Sequence, residues 1–279
     1  MDVGVSIFFT DYSITPAELA VALEERGFDS VWAAEHSHIP VPRKTRADQE
    51  LGKRYYDVMD PFVTLTAAAC ATKKLKIGTG VALVIQRDTI QTAKLVASID
   101  QVSQGRFLFG IGGGWNQEEI ENHGTVFKTR MLKMREQMEA MKAIWTQSKP
   151  EYHGEIVKFD TMMTWPKPVQ KPHPPVIVGG AYPQAARRAV RYGDGWYPNA
   201  ASGEPEDYIP AFRQMAQEAG RDPKSLSLRL GGAPDDLDKL KRYRELGVDA
   251  VNVTLMSDKR DEILPILDHW ASYIPQLRN

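Results

Sequence analysis

The 279-residue sequence has little that would support disulfide bonding, membrane insertion or nucleic-acid binding. Its single cysteine, Cys70, excludes an internal disulfide, and its Ala-rich surroundings predict a buried, inert thiol. No run of eighteen apolar residues is present, and the amino terminus lacks the basic-then-apolar form of a signal peptide. We therefore expect a cytoplasmic protein with no membrane partner.

An excess of charge of one sign is also missing. The chain has 35 Lys and Arg against 36 Asp and Glu, a net charge of −1. No basic block is long enough to form a tract that would neutralise phosphates along a nucleic acid. We expect no nucleic-acid partner.

What the sequence does contain is a regular alternation of short apolar runs with helical patterns. The helices have clear start signals, such as Thr15 before Pro16 and Asp60 before Pro61. The eight apolar runs predict strands at 3–9, 30–36, 75–83, 106–112, 175–180, 195–199, 225–232 and 250–255. Eight strands alternating with eight helices favour an α/β fold of the (β/α)8 TIM-barrel type, in one domain over 1–279. An open doubly wound sheet is the alternative.

Two connections are too long to be simple turns. One, 39–59, follows strand two and is rich in charges of both signs, so it is either a lid over the site or a solvated loop. The other, 149–174, precedes strand five. It contains YHGEIVKFD, which predicts an extended pair turning at Gly154, and then a Pro-rich extended strap.

The stretch RFLFGIGGGWNQEE (106–119) ends a predicted strand in a glycine cluster. It does not match G-x-G-x-x-G, so it is not a dinucleotide-binding loop. Glycines such as Gly112, and Gly179–Gly180 after strand five, let a flat ligand approach the backbone at the carboxyl end of a barrel. The helix start after Gly180 offers N–H groups to a phosphate. A planar, flavin-like cofactor fits this pattern, and a plain bulge or turn is the alternative.

Three polar residues at the same end are candidates for chemistry. His36 either transfers a proton near a flavin ring or satisfies a loop hydrogen bond. Glu35 orients His36 or acts as the base, or it pairs with a Lys or Arg across the barrel mouth. Asn116 binds the cofactor or caps the following helix. A metal is not expected, because no histidines follow strands five and six to join His36 and His38.

Five segments together resemble the bacterial luciferase-like monooxygenase superfamily, and within it the branch of oxidoreductases that use the deazaflavin coenzyme F420. The segments are GFDSVWAAEH (27–36), LKIGTGVAL (75–83), SQGRFLFGIGGGWNQEE (103–119), WPKPVQKPHPPVIVGG (165–180) and RYGDGWYPN (191–199). The resemblance implies a TIM barrel that holds the cofactor at its carboxyl-terminal face, and a homodimer.

The resemblance also implies roles for individual residues. A bulge at Thr79, Gly80 and Val81, often with a cis peptide, would support the cofactor ring, and Glu35 and His36 would lie beside it. The other implied cofactor contacts are Asn116, Gly179, Gly180, Asp194, Gly195 and Trp196. Gly112 joins this set from its place in the glycine cluster.

We expect hydride transfer between coenzyme F420 and a small organic substrate, with the cofactor supplying the difficult chemistry. One alternative is a monooxygenase that uses reduced FMN and oxygen. Another is a non-catalytic flavin-binding protein. The basic side chains that many FMN-using members devote to the FMN phosphate are not identifiable in the sequence, which favours the deazaflavin.

Overall fold

A computed structural model describes residues 1–199 and 202–278 and contains a closed barrel of eight parallel strands. The barrel strands are β1 (Asp2–Ile7), β2 (Ser30–Ala33), β3 (Lys76–Thr79), β4 (Phe107–Ile111), β7 (Val176–Gly179), β8 (Gly195–Tyr197), β9 (Ser227–Gly231) and β10 (Ala250–Thr254). Their order around the barrel is β1-β10-β9-β8-β7-β4-β3-β2. Closure comes from β1 and β10, which pair in parallel from Asp2 with Ala250 to Ser6 with Thr254. The predicted TIM barrel is confirmed.

Helices follow the barrel strands and cover their outer face. They are α1 (Pro16–Glu25), α2 (Pro61–Ala71), α3 (Thr89–Val102), α4 (Gln117–Asn122), α5 (Arg130–Thr146), α6 (Gln184–Tyr192), α7 (Pro205–Glu218), α8 (Leu237–Glu245), α9 (Arg260–Ala271) and α10 (Ile274–Arg278). The start signals act as the sequence predicts. Thr15 and Glu18 form a reciprocal capping box, and the Asp60 carboxylate accepts a hydrogen bond from Phe62 N.

Both predicted insertions are present. The segment 39–59 forms turns and one short 3-10 helix, Lys53–Tyr55, between β2 and α2. The segment before the fifth barrel strand, β7, contains an antiparallel hairpin of β5 (Tyr152–His153) and β6 (Lys158–Phe159). The predicted hairpin around Gly154 is therefore confirmed.

The interior of the barrel is occupied by the indole of Trp32, which has no exposed surface. A Cβ added to Gly78 would lie 2.8 Å from this ring, and one added to Gly110 would lie 3.0 Å from it. These two glycines therefore make room for the protein's own tryptophan. The Trp32 Nε1–H donates to Ser30 Oγ at 2.9 Å, so the buried indole is also satisfied.

Charged side chains close the amino-terminal end of the barrel. Arg229 lies in the interior and donates to Asp29 at 2.7 Å and to Asn252 at 2.8 Å. Lys76 donates to the other Asp29 oxygen at 2.8 Å. These cations outweigh the effect of burial and hold the pKa of Asp29 well below its ordinary value. This end therefore carries an ion-pair network, and we look for the site at the opposite end.

One expectation about the helical layer is wrong. Cys70 is exposed on α2 and not buried, because it lies on the solvent-facing side of the Ala-rich helix. In the described part of the chain, no helix has the length and apolar character needed to cross a membrane.

The packing around Trp32 predicts the effect of Gly110→Ala. The added methyl would overlap the Thr79 carbonyl oxygen, so β3 and β4 would have to separate. We expect the free energy of unfolding to fall by about 3 kcal/mol, measured by urea denaturation. Gly52→Ala is the control, since a methyl added there would have no atom within 4 Å. Equal effects of the two substitutions would contradict the packing argument.

Candidate active site

His36 and Glu119 form a buried pair at the carboxyl end of the barrel. His36 follows β2, and Glu119 lies in the first turn of α4, which follows β4. The His36 Nδ1 lies 2.8 Å from Glu119 Oε2, and the Glu119 side chain is 1% exposed. The other Glu119 oxygen accepts from Ser37 N at 3.0 Å. Strands β2 and β4 are not adjacent, so this pair joins two separate parts of the rim.

The hydrogen bonds of Glu119 hold its carboxylate ionised and identify the donor of the pair. Burial alone would raise the pKa of Glu119, but the contacts with His36 and Ser37 outweigh it and hold that pKa below its ordinary value. Because an ionised carboxylate only accepts, Nδ1 of His36 is the donor in this bond. His36 Nε2 has no hydrogen-bond partner among the described residues. This nitrogen is therefore free to exchange a proton with a ligand.

Aromatic rings flank the imidazole. The ring centroids of Tyr55 and Trp115 lie 5.5 Å and 5.6 Å from that of His36. Tyr55 belongs to the 39–59 segment and Trp115 to the segment after β4, so both connections reach the candidate base.

Glu35 points away from His36. Its carboxylate accepts from Leu83 N at 2.6 Å and from Arg87 Nε at 2.7 Å, and Arg87 also pairs with Asp60. Burial raises the pKa of Glu35 above its ordinary value, and the contacts with Arg87 and Leu83 reduce that shift without reversing it. The sequence left several roles open for Glu35, and this geometry corresponds to the one in which Glu35 pairs with an arginine. Glu35 holds the backbone after β3 in place.

Val81 occupies the centre of the mouth, where the resemblance implies that the cofactor ring is supported. The Gly80–Val81 peptide bond is cis, as the resemblance implies. A Cβ on Gly112 would lie 2.5 Å from one Val81 methyl, and a Cβ on Gly179 would lie 2.7 Å from the other. These glycines therefore make room for Val81 and not directly for a ligand. Thr79 is fully buried, and its hydroxyl donates to Gly110 O at 2.6 Å.

Asn116 is a buried polar side chain at this end that lacks partners. It is 1% exposed, and among the described residues neither its amide nitrogen nor its amide oxygen has a hydrogen-bond partner. Asn116 lies at the N-cap position of α4, but its side chain makes no capping bond. The capping role considered from the sequence is therefore wrong. An unpaired buried amide costs free energy unless a ligand pairs with it.

The turn after β7 leads into α6. Gly180 has a φ of +125°, which favours glycine, and its carbonyl accepts from the Trp196 indole at 3.0 Å. Trp196 is fully buried against Tyr208 and Phe212 of α7. It supports the turn from behind, between the barrel and its helices, and does not reach the mouth.

Asp194 and Gly195 lie at the other end of the barrel. Asp194 immediately precedes β8, and its carboxylate accepts from Val176 N, at the start of β7, at 2.9 Å. In a parallel barrel the starts of strands lie at the amino-terminal end, opposite the mouth. A Cβ on Gly195 would overlap the hydroxyl of Ser227, the first residue of β9. The placement of Asp194 and Gly195 beside the cofactor needs correction, and we remove both from the candidate set.

Two arginines near the turn were not identified from the sequence. Arg130, the first residue of α5, donates from Nε to Gly113 O at 3.1 Å. Arg188 of α6 makes no hydrogen bond or ion pair in the described part of the chain, and its buried Nε has no partner. Burial and, to a smaller extent, the positive charge of Arg188 lower the pKa of Arg130. Basic side chains that have no carboxylate partner among the described residues attract an anion.

Sequence reasoning also assigned no chemical role to Glu119, although its position in the chain indicates that it lies at the site. Glu119 is the third residue of a helix that starts directly after a strand end. Its carboxylate therefore had to lie at the same barrel end as His36.

His38 contacts Ser37 and Asn122 instead of sharing a site with His36. Among the residues that the structure describes, no three potential ligand side chains could hold a metal ion.

The depressed pKa of Glu119 predicts the pH dependence of Glu119→Gln. Since the folded-state pKa lies below the ordinary 4.5, ionised Glu119 stabilises the fold above about pH 4.5. That contribution is lost as the pH falls further. The substitution should cost about 2 kcal/mol near pH 7 and progressively less towards about pH 3, in urea unfolding at each pH.

Glu121→Gln, an exposed change in the same helix, is the control and should cost less than about 0.5 kcal/mol. A loss for Glu119→Gln that does not change with pH would show that the hydrogen bonds of Glu119 do not depend on its charge.

Comparison with known proteins identifies relatives with two kinds of cofactor. A Mycobacterium tuberculosis protein whose name assigns no function is 37% identical over 98% of both chains. An F420-dependent hydroxymycolic acid dehydrogenase of the same species is 29% identical, covering 80% of this chain and 58% of its own. An FMNH2-dependent dimethylsulfone monooxygenase of Pseudomonas putida is 32% identical, covering 50% of this chain and 39% of its own.

Comparison with solved structures and with family models gives a similar result. The structure of an F420-dependent secondary alcohol dehydrogenase, bound to an F420–acetone adduct, superposes with a TM-score of 0.78 over the full length of both chains. At 20% identity this likeness concerns the fold alone. The family model of the luciferase-like monooxygenases matches residues 15–234. This match spans most of the barrel, and the chain belongs to the luciferase-like monooxygenase family.

Proposed function

We propose that the protein is an oxidoreductase that transfers a hydride between coenzyme F420 and a small organic substrate at the barrel mouth. The observation that carries this proposal is the Asn116 amide, which is buried after β4 and has no partner on either polar atom in the described part of the chain. A cofactor with ring carbonyls and N–H groups would satisfy it. The F420-dependent relatives support the choice of cofactor.

Several groups of this chain would hold such a cofactor. Val81 is half-buried, so its exposed face offers an apolar floor for a ring. The Gly179–Gly180 turn and the first N–H groups of α6 would bind a phosphate, with Arg188 neutralising its charge. The ring, the amide of Asn116 and the phosphate site would then lie along the rim from β3 to β7.

A bound deazaflavin would supply or accept the hydride, and the protein would handle the accompanying proton. His36 Nε2 is the group suited to give or take that proton, because Nδ1 is held by Glu119. Glu119 holds the imidazole in place by accepting a hydrogen bond from Nδ1. Glu119 is thus a positioning residue, and so is Glu35 through Arg87. Trp115 and Tyr55 would limit the access of water to the imidazole.

A second candidate is a monooxygenase that uses reduced FMN and oxygen, which the FMNH2-dependent relative favours. Arg130 and Arg188 weaken the sequence-based preference against it, since they could bind the FMN phosphate.

We further propose, on the resemblance alone, a single-domain cytoplasmic protein that acts as a homodimer. A non-catalytic flavin-binding protein would bind cofactor but oxidise and reduce nothing.

Titration of the apoprotein with F420 and with FMN tests the cofactor, followed by intrinsic tryptophan fluorescence. We expect tighter binding of F420. Arg188→Gln should weaken binding of the preferred cofactor by about tenfold, because a charged hydrogen bond to phosphate contributes about 1.5 kcal/mol. Arg187→Gln, an exposed change on the same helix, is the control.

Tighter binding of FMN would reverse the order of the two candidate functions. Binding of neither cofactor would contradict both of them.

His36→Ala tests the proton-transfer role. The rate constant kcat should fall by about 10²–10⁴-fold while cofactor affinity stays within about twofold, because Nε2 acts on the substrate. Glu119→Gln should lower kcat less and should also change its pH profile, as expected of a residue that acts through His36. Unchanged turnover in His36→Ala, measured with any substrate found by screening, would remove His36 from the mechanism.

A further inference from the structure

Three arginines of the 39–59 segment stack on the aromatic rings that surround His36. The guanidinium carbons of Arg43 and Arg46 lie 5.6 Å and 4.8 Å from the centroid of the Trp115 ring. That of Arg54 lies 5.3 Å from the Phe8 ring and 5.7 Å from the Tyr55 ring. Both Trp115 and Tyr55 contact the His36 ring. Each of the three cations is therefore separated from the candidate base by one aromatic ring, Trp115 or Tyr55.

The charge of these arginines is not neutralised by the protein. Within the residues that the structure describes, no ion pair joins Arg43, Arg46 or Arg54 to a carboxylate. Arg43 donates to Gln49 O and Arg54 to the Met256 sulfur, which are both uncharged acceptors. The Arg43 Nη1 is buried and has no hydrogen-bond partner in the segments 1–199 and 202–278. Such a group is costly unless a ligand binds it.

Two neighbouring acidic groups, Asp57 and Glu118, have other partners. Asp57 of the same segment pairs with Lys53 at 2.9 Å. The Glu118 carboxylate accepts hydrogen bonds from Lys44 N at 2.7 Å, Thr45 N at 3.0 Å and Thr45 Oγ1 at 2.6 Å. These bonds lie between Arg43 and Arg46 in sequence. Glu118 thus attaches the segment to α4 and holds the two arginines over Trp115.

A guanidinium that lies on an aromatic ring keeps its in-plane N–H groups available. These groups form a rigid fork that matches the two oxygens of a carboxylate or phosphate. The ring below removes water from one face of the cation and restricts its motion. The arrangement is therefore better suited to an anionic ligand than to a neutral one.

We propose that Arg43, Arg46 and Arg54 form an anion-recognition wall beside His36 that binds a carboxylate or phosphate group of a ligand. The proposal rests on the proposed function for the identity of the reacting site, but the wall itself does not require it. Its anion comes either from the substrate, which would then be a small acid or phosphate ester, or from an anionic side chain of the cofactor.

The first test needs neither substrate nor cofactor and uses quenching of Trp115 fluorescence. Four of the six tryptophans, Trp32, Trp145, Trp196 and Trp270, are at most 5% exposed, so a Trp165→Phe background leaves Trp115 as the accessible fluorophore. Iodide, an anionic quencher, should quench Trp115 more strongly than neutral acrylamide does. Arg46→Gln should reduce iodide quenching at least about twofold and leave acrylamide quenching unchanged.

Lys44→Gln is the matched control, because it removes one positive charge from the same segment without a ring contact. Equal loss of iodide quenching in Lys44→Gln and Arg46→Gln would overturn the proposal, since it would show a diffuse charge effect. Absence of any preference for iodide would overturn it as well. Neither result depends on cofactor binding, so failure here is distinct from failure of the proposed function.

The second test identifies the source of the anion. Hydroxy acids and keto acids are compared with their methyl esters as substrates of the cofactor-loaded enzyme. If the anion belongs to the substrate, kcat/KM favours the acids at least about tenfold, and Arg46→Gln removes that preference without changing the Kd of the cofactor. If it belongs to the cofactor, Arg46→Gln weakens cofactor binding and leaves the acid-to-ester ratio unchanged. No change in either quantity beyond that of Lys44→Gln would overturn the proposal.

Discussion

The candidate site depends on two consecutive carboxylates in a helix of six residues. Glu119 accepts a hydrogen bond from the imidazole of His36, which follows β2. Glu118 accepts hydrogen bonds from the backbone of the 39–59 segment. Both bonds cross from the fourth barrel strand's connection to the second, past β3. Because charged hydrogen bonds of this kind are strong in a partly buried setting, helix α4 defines the positions of the base and of the segment above it. The rings of Trp115 and Tyr55, and the arginines that lie over them, pack around these two attachments.

The architecture could be predicted from the sequence because its signals are local and repeated. Thr15 with Glu18 and Asp60 with Pro61 each specify a helix start by chemistry within four residues. Apolar runs with short, regular spacing specify a parallel, doubly covered sheet. The hairpin around Gly154 is local in the same sense. The exposure of Cys70 was not predictable in this way, because an Ala-rich helix has little contrast between its two faces.

The site was only partly predictable, because its contacts join residues far apart in the chain. The sequence placed His36 and Asn116 at the correct end, but it could not show which partner each would have. A flat ligand would explain Gly112 and Gly179, although the structure shows that Val81 needs the space. The resemblance puts Asp194 at the mouth, although it precedes its strand at the opposite end. Glycine indicates that something approaches the backbone closely, but it does not indicate what does so.

The pairing of β1 with β10 has a consequence for how the chain folds. Residues 2–6 find their partners at 250–254, so the barrel cannot close until nearly the whole chain has been synthesised. Until then β1 and β2 present a free edge and an apolar inner face, a condition that favours association between unfinished chains. Contacts of such large sequence separation also slow the final step of folding. The same closed sheet that gives the rim its fixed geometry therefore makes closure of the barrel a late and slow step.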